Sequence, residues 1–179
     1  MVAPAAAVAE LTAWDPADRA QQGLRHALLA FLDARPDDAC SRSCEPGHLT
    51  ASALVVDAAA EHTLLTLHPR VGRWLQLGGH CEDGDASLAD AALREATEES
   101  GIDGLTIDPA PLHVDVHPIT CSLGLPTRHL DVRFLVRAPE GAVPRISAES
   151  DDLRWWPLDA LPDDADVPAM VAAARSRLP

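Results

Sequence analysis

The chain has 179 residues, enough for one domain with a sizeable core and a small addition. Acidic residues outnumber basic ones 28 to 14, for a formal charge of -14, and aromatic residues make up only 3%. Such a surface repels nucleic-acid duplexes and anionic lipid, and it lacks the aromatic platforms of a single-strand binder.

The opening residues, MVAPAAAVAE, lack the basic start and long apolar run of a secretory signal, and no stretch reaches the length of a membrane span. Cys40, Cys44, Cys81 and Cys121 are too scattered for a disulfide framework, so the cytoplasm is the expected compartment. Asp15 and Pro16 read as the cap and first residue of a helix over 16–34, with Leu24, Ala27, Leu28, Phe31 and Leu32 at helical spacing. Residues 1–45 are therefore expected to form a helical extension, with the main domain at 46–179. The apolar face of the 16–34 helix offers a surface for a second subunit, making a homodimer an open expectation. Cys40, Cys44 and His48 recur every four residues, but Glu45-Pro46-Gly47 would break a helix carrying that spacing, and no fourth zinc ligand is near.

In the main domain, strands are expected at 49–57 and 62–68, joined by AAAE, a poor turn sequence. RWLQLGGH leads into a loop rich in Gly and Asp. Ser87, with Asp90 three residues later, starts a helix that runs to Ser100 and ends at Gly101. Strands at 112–119, 129–137 and 153–158 follow, and Pro168 opens a closing helix. Mixed strands and helices at short spacing predict an α/β class, as an α+β fold or an α/β/α sandwich.

LREATEESGI, residues 93–102, places Glu95, Glu98 and Glu99 on one helical face, where like charges three and four apart repel. They also lie late in the helix, against the negative end of its dipole. Arg94 reaches Glu98 but cannot neutralise all three. Two readings remain on these grounds: a solvated face, or a site for a hard divalent cation that takes oxygen ligands.

The longer stretch GGHCEDGDASLADAALREATEESGI resembles the Nudix box of the Nudix hydrolase family. Arg94 through Ile102 fits the helical half of the pattern without exception. The loop half departs from it: Asp85 stands where the pattern has its first glutamate, and one extra residue precedes Arg94. The resemblance implies a Nudix-like α/β/α sandwich with a mixed sheet. It also implies a pyrophosphohydrolase that cleaves a nucleoside diphosphate derivative or nucleotide with Mg²⁺ or Mn²⁺. By the same resemblance Glu95, Glu98, Glu99 and the Gly79 carbonyl would be metal ligands, and Arg94 would orient the glutamates with Asp85 as its partner. The general base would be Glu98 or Glu149, the latter in the loop before the last strand. A non-catalytic sensor or an isomerase on the same scaffold is the alternative; the intact Arg94-Glu95 and Glu98-Glu99 pairs favour turnover.

His113, Asp115 and His117 alternate with apolar residues, as do His129, Asp131 and Arg133. Paired antiparallel, these strands would lay two polar stripes side by side, either as an exposed face or as the lining of a substrate cleft. In the second case Arg133 and His117 would face a phosphate-containing small molecule, and His80 and Arg73 would contact its leaving group. Trp74, Trp155 and Trp156 are candidates to stack on a base, although at least one should be core.

Overall fold

The computed structural model describes residues 2–16, 18–120, 124, 126–147 and 150–178. Glu149 and Cys121 lie outside the described residues. The chain runs through α1 (Pro4–Ala13), α2 (Arg19–Ala34), β1 (His48–Val56), β2 (His62–Leu67), β3 (Trp74–Leu75), β4 (Leu77–His80), α3 (Leu88–Ser100), β5 (Thr106–Ile107), β6 (His113–Thr120), β7 (Pro126–Arg137), β8 (Asp152–Pro157) and α4 (Pro168–Ala174).

Among the described residues, all eight strands belong to one mixed sheet with the path β3-β2-β1-β7-β5. β1 and β7 run parallel at its centre, with His48 opposite His129 and Val56 opposite Arg137. The other edge of β1 is shared: β2 pairs with Val55 and Val56, while β4 pairs with Thr50 through Ala53. This split lets β4 peel away toward the loop before α3. β6 pairs antiparallel with β7, and β8 with the outer edge of β2.

Helices cover both faces, giving an α/β/α sandwich. Leu49, Ala51, Val132 and Phe134 face a cluster formed with α1, α2 and α3. Leu54, Val56 and Leu135 face the opposite way, onto Met170 and Val171 of α4. Trp74 is buried in this second cluster, edge-on to Trp156 at 5.2 Å, which makes it a core residue.

Two local features explain how unpromising sequence folds. The alanine-rich turn between β1 and β2 closes on Asp57, whose carboxylate accepts from the N–H groups of Glu61 (2.8 Å) and His62 (3.0 Å). Along the exposed edge of β6, the Gln21 side chain imitates a strand: its amide donates to the Val114 carbonyl (3.0 Å) and its oxygen accepts from the Val114 N–H (2.7 Å). The backbone groups of an edge strand otherwise invite another chain.

The start of α2 differs from expectation. Its cap is Asp18, which accepts from the Gln21 N–H, rather than Asp15 with Pro16. A separate helix, α1, precedes it, opened by Pro4 at its first turn. The apolar side of α2 does not stand free, because Leu28 and Leu32 are buried in the chain's own core. That face is therefore no argument for a homodimer. No helix among the described residues is long and apolar enough to cross a membrane.

Candidate active site

α3 is built to hold carboxylates in place. Ser87 caps its start by accepting from the Asp90 N–H at 3.0 Å, and Gly101 ends it in the left-handed conformation, with φ of 60°. The first turn gains a second cap from α1. Glu10 accepts from the N–H groups of Leu88 (2.9 Å) and Ala89 (3.1 Å), donors that a helix cannot satisfy internally. Ala91, Ala92 and Ala96 pack flat on the sheet, so the glutamate side of the helix sits close to β4.

Arg94 is the hub. Its Nε and Nη2 grip the two oxygens of Asp85 at 3.0 and 3.1 Å, its Nη1 donates to Glu95 and Glu98 at 3.1 Å each, and its Nη2 also donates to the His80 carbonyl at 2.8 Å. Asp85 in turn accepts from the Glu82 N–H at 2.7 Å. Burial works against the Asp85 carboxylate, but Arg94 and the Glu82 N–H hold its pKa below the ordinary value. The short arm of Asp85 thus reaches Arg94 from one position early.

Glu95 is 9% exposed, and burial raises its pKa despite Arg94 beside it. Its carboxylate lies against the backbone of Gly79: a Cβ at that position would stand 2.6 Å from Glu95 Oε1. Only glycine permits this approach. Glu99 accepts from the Gly78 N–H at 3.0 Å, whereas the Glu98 side chain is 60% exposed. A shallow cleft of ≈ 360 Å³ is bordered by Asp90, Leu93, Arg94, Thr97 and Glu98. A larger one, ≈ 610 Å³, lies at the β1–β2 turn beside Asp57, Glu140 and Trp155, away from these carboxylates.

The oxygen donors Glu95, Glu98 and Glu99, together with the close Gly79 backbone, suit a hard divalent cation. Glu98 and Glu99 currently rest on Arg94 and the Gly78 N–H. Among the described residues, the side chains whose ligand atoms gather within 4.8 Å of one another are instead His48, His80 and His129.

These histidines belong to the polar face of the sheet. β6 and β7 pair with Asp115 opposite Asp131, His113 opposite Arg133 and His117 opposite His129, so the two polar stripes do lie side by side. Asp131, 2% exposed, accepts from Thr50 (2.9 Å), Ser52 (2.7 Å) and Arg133 Nε (2.8 Å). Burial opposes its charge, yet Arg133 and the two hydroxyls keep its pKa low. Arg133 is 3% exposed and also reaches Asp115 at 3.3 Å, so its charge is engaged inside the face. The Asp115 hydrogen bond, 2.8 Å to His117 Nδ1, raises the His117 pKa. Burial and neighbouring cationic or imidazole groups lower His80 to about 3 and His129 to about 4. Arg73 stands elsewhere, donating to the Asp164 carbonyl at 2.9 Å ahead of α4.

The NUDIX domain family pattern matches residues 46–175. The chain belongs to the NUDIX domain family. It is accordingly an enzyme of the Nudix hydrolase type, acting on diphosphate bonds. No curated protein matches it. Solved structures do. The Ap4A hydrolase of C. elegans, in a binary complex, is 22% identical over 72% of this chain and 93% of that one, with a TM-score of 0.53. A MutT NUDIX hydrolase from Burkholderia pseudomallei is 25% identical over 73% and 98%, with a TM-score of 0.51. The NUDIX domain of Shewanella oneidensis NrtR, complexed with ADP ribose, is 22% identical over 83% and 97%, also at 0.51.

The sequence offered His48 as a ligand only beside Cys40 and Cys44, and His129 only through the polar alternation of β7; neither reading joins the two. Their meeting depends on the parallel register of β1 and β7, which joins residues 81 positions apart and leaves no local signal.

Proposed function

We propose that this Nudix enzyme is a divalent-cation-dependent pyrophosphohydrolase of the cytoplasm, cleaving the diphosphate bond of a nucleoside diphosphate derivative or nucleotide. The observation that carries this reading is the Arg94 hub, which ties Asp85, Glu95 and Glu98 to the end of β4. The Ap4A hydrolase and the ADP-ribose complex among its structural relatives support the substrate class.

In this reading Glu95, Glu98, Glu99 and the Gly79 carbonyl hold Mg²⁺ or Mn²⁺. When bound, the cation polarises the diphosphate, acidifies an attacking water and screens the substrate from a chain of charge -14. The protein's own contribution is positional. Arg94 holds Glu95 and Glu98 in register, and Asp85 fixes Arg94. Glu98, on the exposed side, takes the proton from water as general base, with Glu149 as the second candidate. His80 and His117 present the polar sheet face to the substrate phosphates, while Arg133, held by Asp131 and Asp115, adds its charge from beneath without touching the substrate.

The test is turnover of nucleoside diphosphate derivatives and nucleoside triphosphates with and without Mg²⁺ or Mn²⁺, beside Glu98→Gln and Glu99→Gln. Cation-dependent cleavage that falls by roughly 10²–10⁴-fold in Glu98→Gln, the range typical of losing a general base, is expected. Cleavage that needs no cation, or that survives both substitutions, overturns the proposal.

A further inference from the structure

We propose that His48, His80 and His129 form a second metal site, for a borderline transition-metal ion of the Zn²⁺ class, separate from the oxygen site on α3. One ligand atom from each ring lies within 4.8 Å of the other two. In a tetrahedral zinc site with Zn–N near 2.0–2.1 Å, neighbouring ligand nitrogens stand about 3.4 Å apart. Small rotations of the rings close that difference, because the backbones are already placed.

The placement comes from three different strands. His48 on β1 faces its register partner His129 on β7, and His80 closes the group from β4 on the opposite edge of β1, beside Thr50. The ring centroids are 5.1 Å apart for His48 and His80, and 5.0 Å for each of the other two pairs. A site on strands of one sheet is held more rigidly than a site on loops.

The chemistry of the donors separates this site from the first. Three imidazoles suit Zn²⁺, Co²⁺, Ni²⁺ or Cu²⁺, whereas Mg²⁺ and Mn²⁺ prefer carboxylate and carbonyl oxygens. Supporting groups are in place as well. The Cys44 backbone faces the His48 ring and favours its charged form, in position to orient it. The Nε2 atom of His129 is buried and has no hydrogen-bond partner among the described residues. His117, whose ring centroid lies 5.5 Å from that of His129, is held from behind by Asp115. Arg42 acts on all three rings and opposes a cation there, but it is drawn toward Glu82 at 3.7 Å.

Three neutral ligands leave a divalent ion with its full charge and an open position, suited to water or a phosphate oxygen. The position is consequential. His80 follows Gly79 directly, and its carbonyl takes the 2.8 Å hydrogen bond from Arg94. An ion on the His80 ring would therefore pin the end of β4 from the sheet side while the carboxylates of α3 approach it from the other.

The experiment is equilibrium dialysis of the untagged full chain, stripped of metal, against Zn²⁺ in millimolar Mg²⁺, with Co²⁺ visible absorption reporting the ligand geometry. One equivalent should bind, with the intense bands of four-coordinate Co²⁺. His80→Asn and His129→Asn should each weaken binding by roughly tenfold or more, since loss of even a supporting contact to a ligand has effects of that order. Both positions are only partly buried, and metal-free melting curves will establish that the variants fold. Glu98→Gln should bind Zn²⁺ as the wild type does, which separates this site from the hydrolytic one. Cys40→Ser should also bind normally. The proposal is overturned if the wild type binds no equivalent, if folded His80→Asn and His129→Asn bind as tightly as wild type, or if binding is lost with Cys40 or Glu98 instead.

Discussion

Asp85→Asn tests how the shifted loop residue supports the carboxylate-bearing helix α3. Asp85 accepts three hydrogen bonds: Arg94 Nε on one oxygen, and Arg94 Nη2 with the Glu82 N–H on the other. Asparagine keeps the shape but must turn its NH₂ toward one of those oxygens' positions, so at least one donor meets another donor. The pair also loses its opposing charge. Removing one partner of a fully buried ion pair costs about 3–5 kcal/mol, and losing one hydrogen bond to a charged group about 1.5–3. Arg94 retains Glu95, Glu98 and the His80 carbonyl, and its side chain is 22% exposed, so the lower range applies, near 2 kcal/mol. For a chain of this size that is a drop in Tm of roughly 4–8 °C. Arg94 would then be steered by the glutamates and the His80 carbonyl without its main anchor, and kcat should fall by about 10–100-fold, as when a supporting contact to a metal ligand is lost. Urea unfolding and steady-state kinetics on one preparation measure both quantities. A variant within about 0.5 kcal/mol of wild type and equally fast would refute the role of Asp85, since that is the scatter of an indifferent surface change.

Adjacent glycines should behave differently. In Gly78→Ala the new Cβ meets the Ser52 backbone at 2.6 Å with φ at +152°, so loss of stability should dominate in a melting curve. In Gly79→Ala the obstacle is the end of the Glu95 side chain, which can swing aside; the fold should survive while hydrolysis falls steeply. Asp131→Asn, which strands the 3%-exposed Arg133 with only Asp115, should cost about 3 kcal/mol in urea titration, and a cost under about 1 would contradict the buried pairing. Acid should weaken the metal-free protein through His80 and His129. Their folded pKa values, about 3 and about 4, lie below the unfolded value of 6.5, so folding excludes protons. Stability is full above pH 6.5 and falls as pH drops toward 4, by at most about 1 kcal/mol per pH unit for each ring after allowing for its partial exposure. A flat stability profile between pH 6.5 and 4.5 would refute this.

Most of the architecture is written in local pattern. Ser87 and Gly101 bound α3 as their capping chemistry dictates, and the alternation of His113 to His117 and His129 to Arg133 places both polar stripes on one face. The family likeness, too, was legible in residues 79–102. What escaped reading has physical causes. Half of α1 is alanine, so its polar and apolar sides are too weakly separated to mark it as a surface helix. Asp15 and Asp18 both precede helical residues, and only the Gln21 N–H, satisfied by Asp18, decides between them. β5 has two residues, too short for any periodicity. Arg133 looked available to a ligand because the sequence does not reveal that Asp131 and Asp115 already surround its guanidinium.

The Glu10 contact has an evolutionary consequence. Glu10 lies outside residues 46–175, yet it satisfies two N–H groups of the helix that bears the carboxylates. Its carboxylate also sits at the positive end of that helix's dipole, where negative charge is favoured. Grafting the family portion behind another leader would expose those donors unless the new leader brought an acid to the same spot. The first helix and the carboxylate-bearing helix are thus constrained to change together, and recombination between relatives at the edge of the family region would tend to separate a helix from its cap.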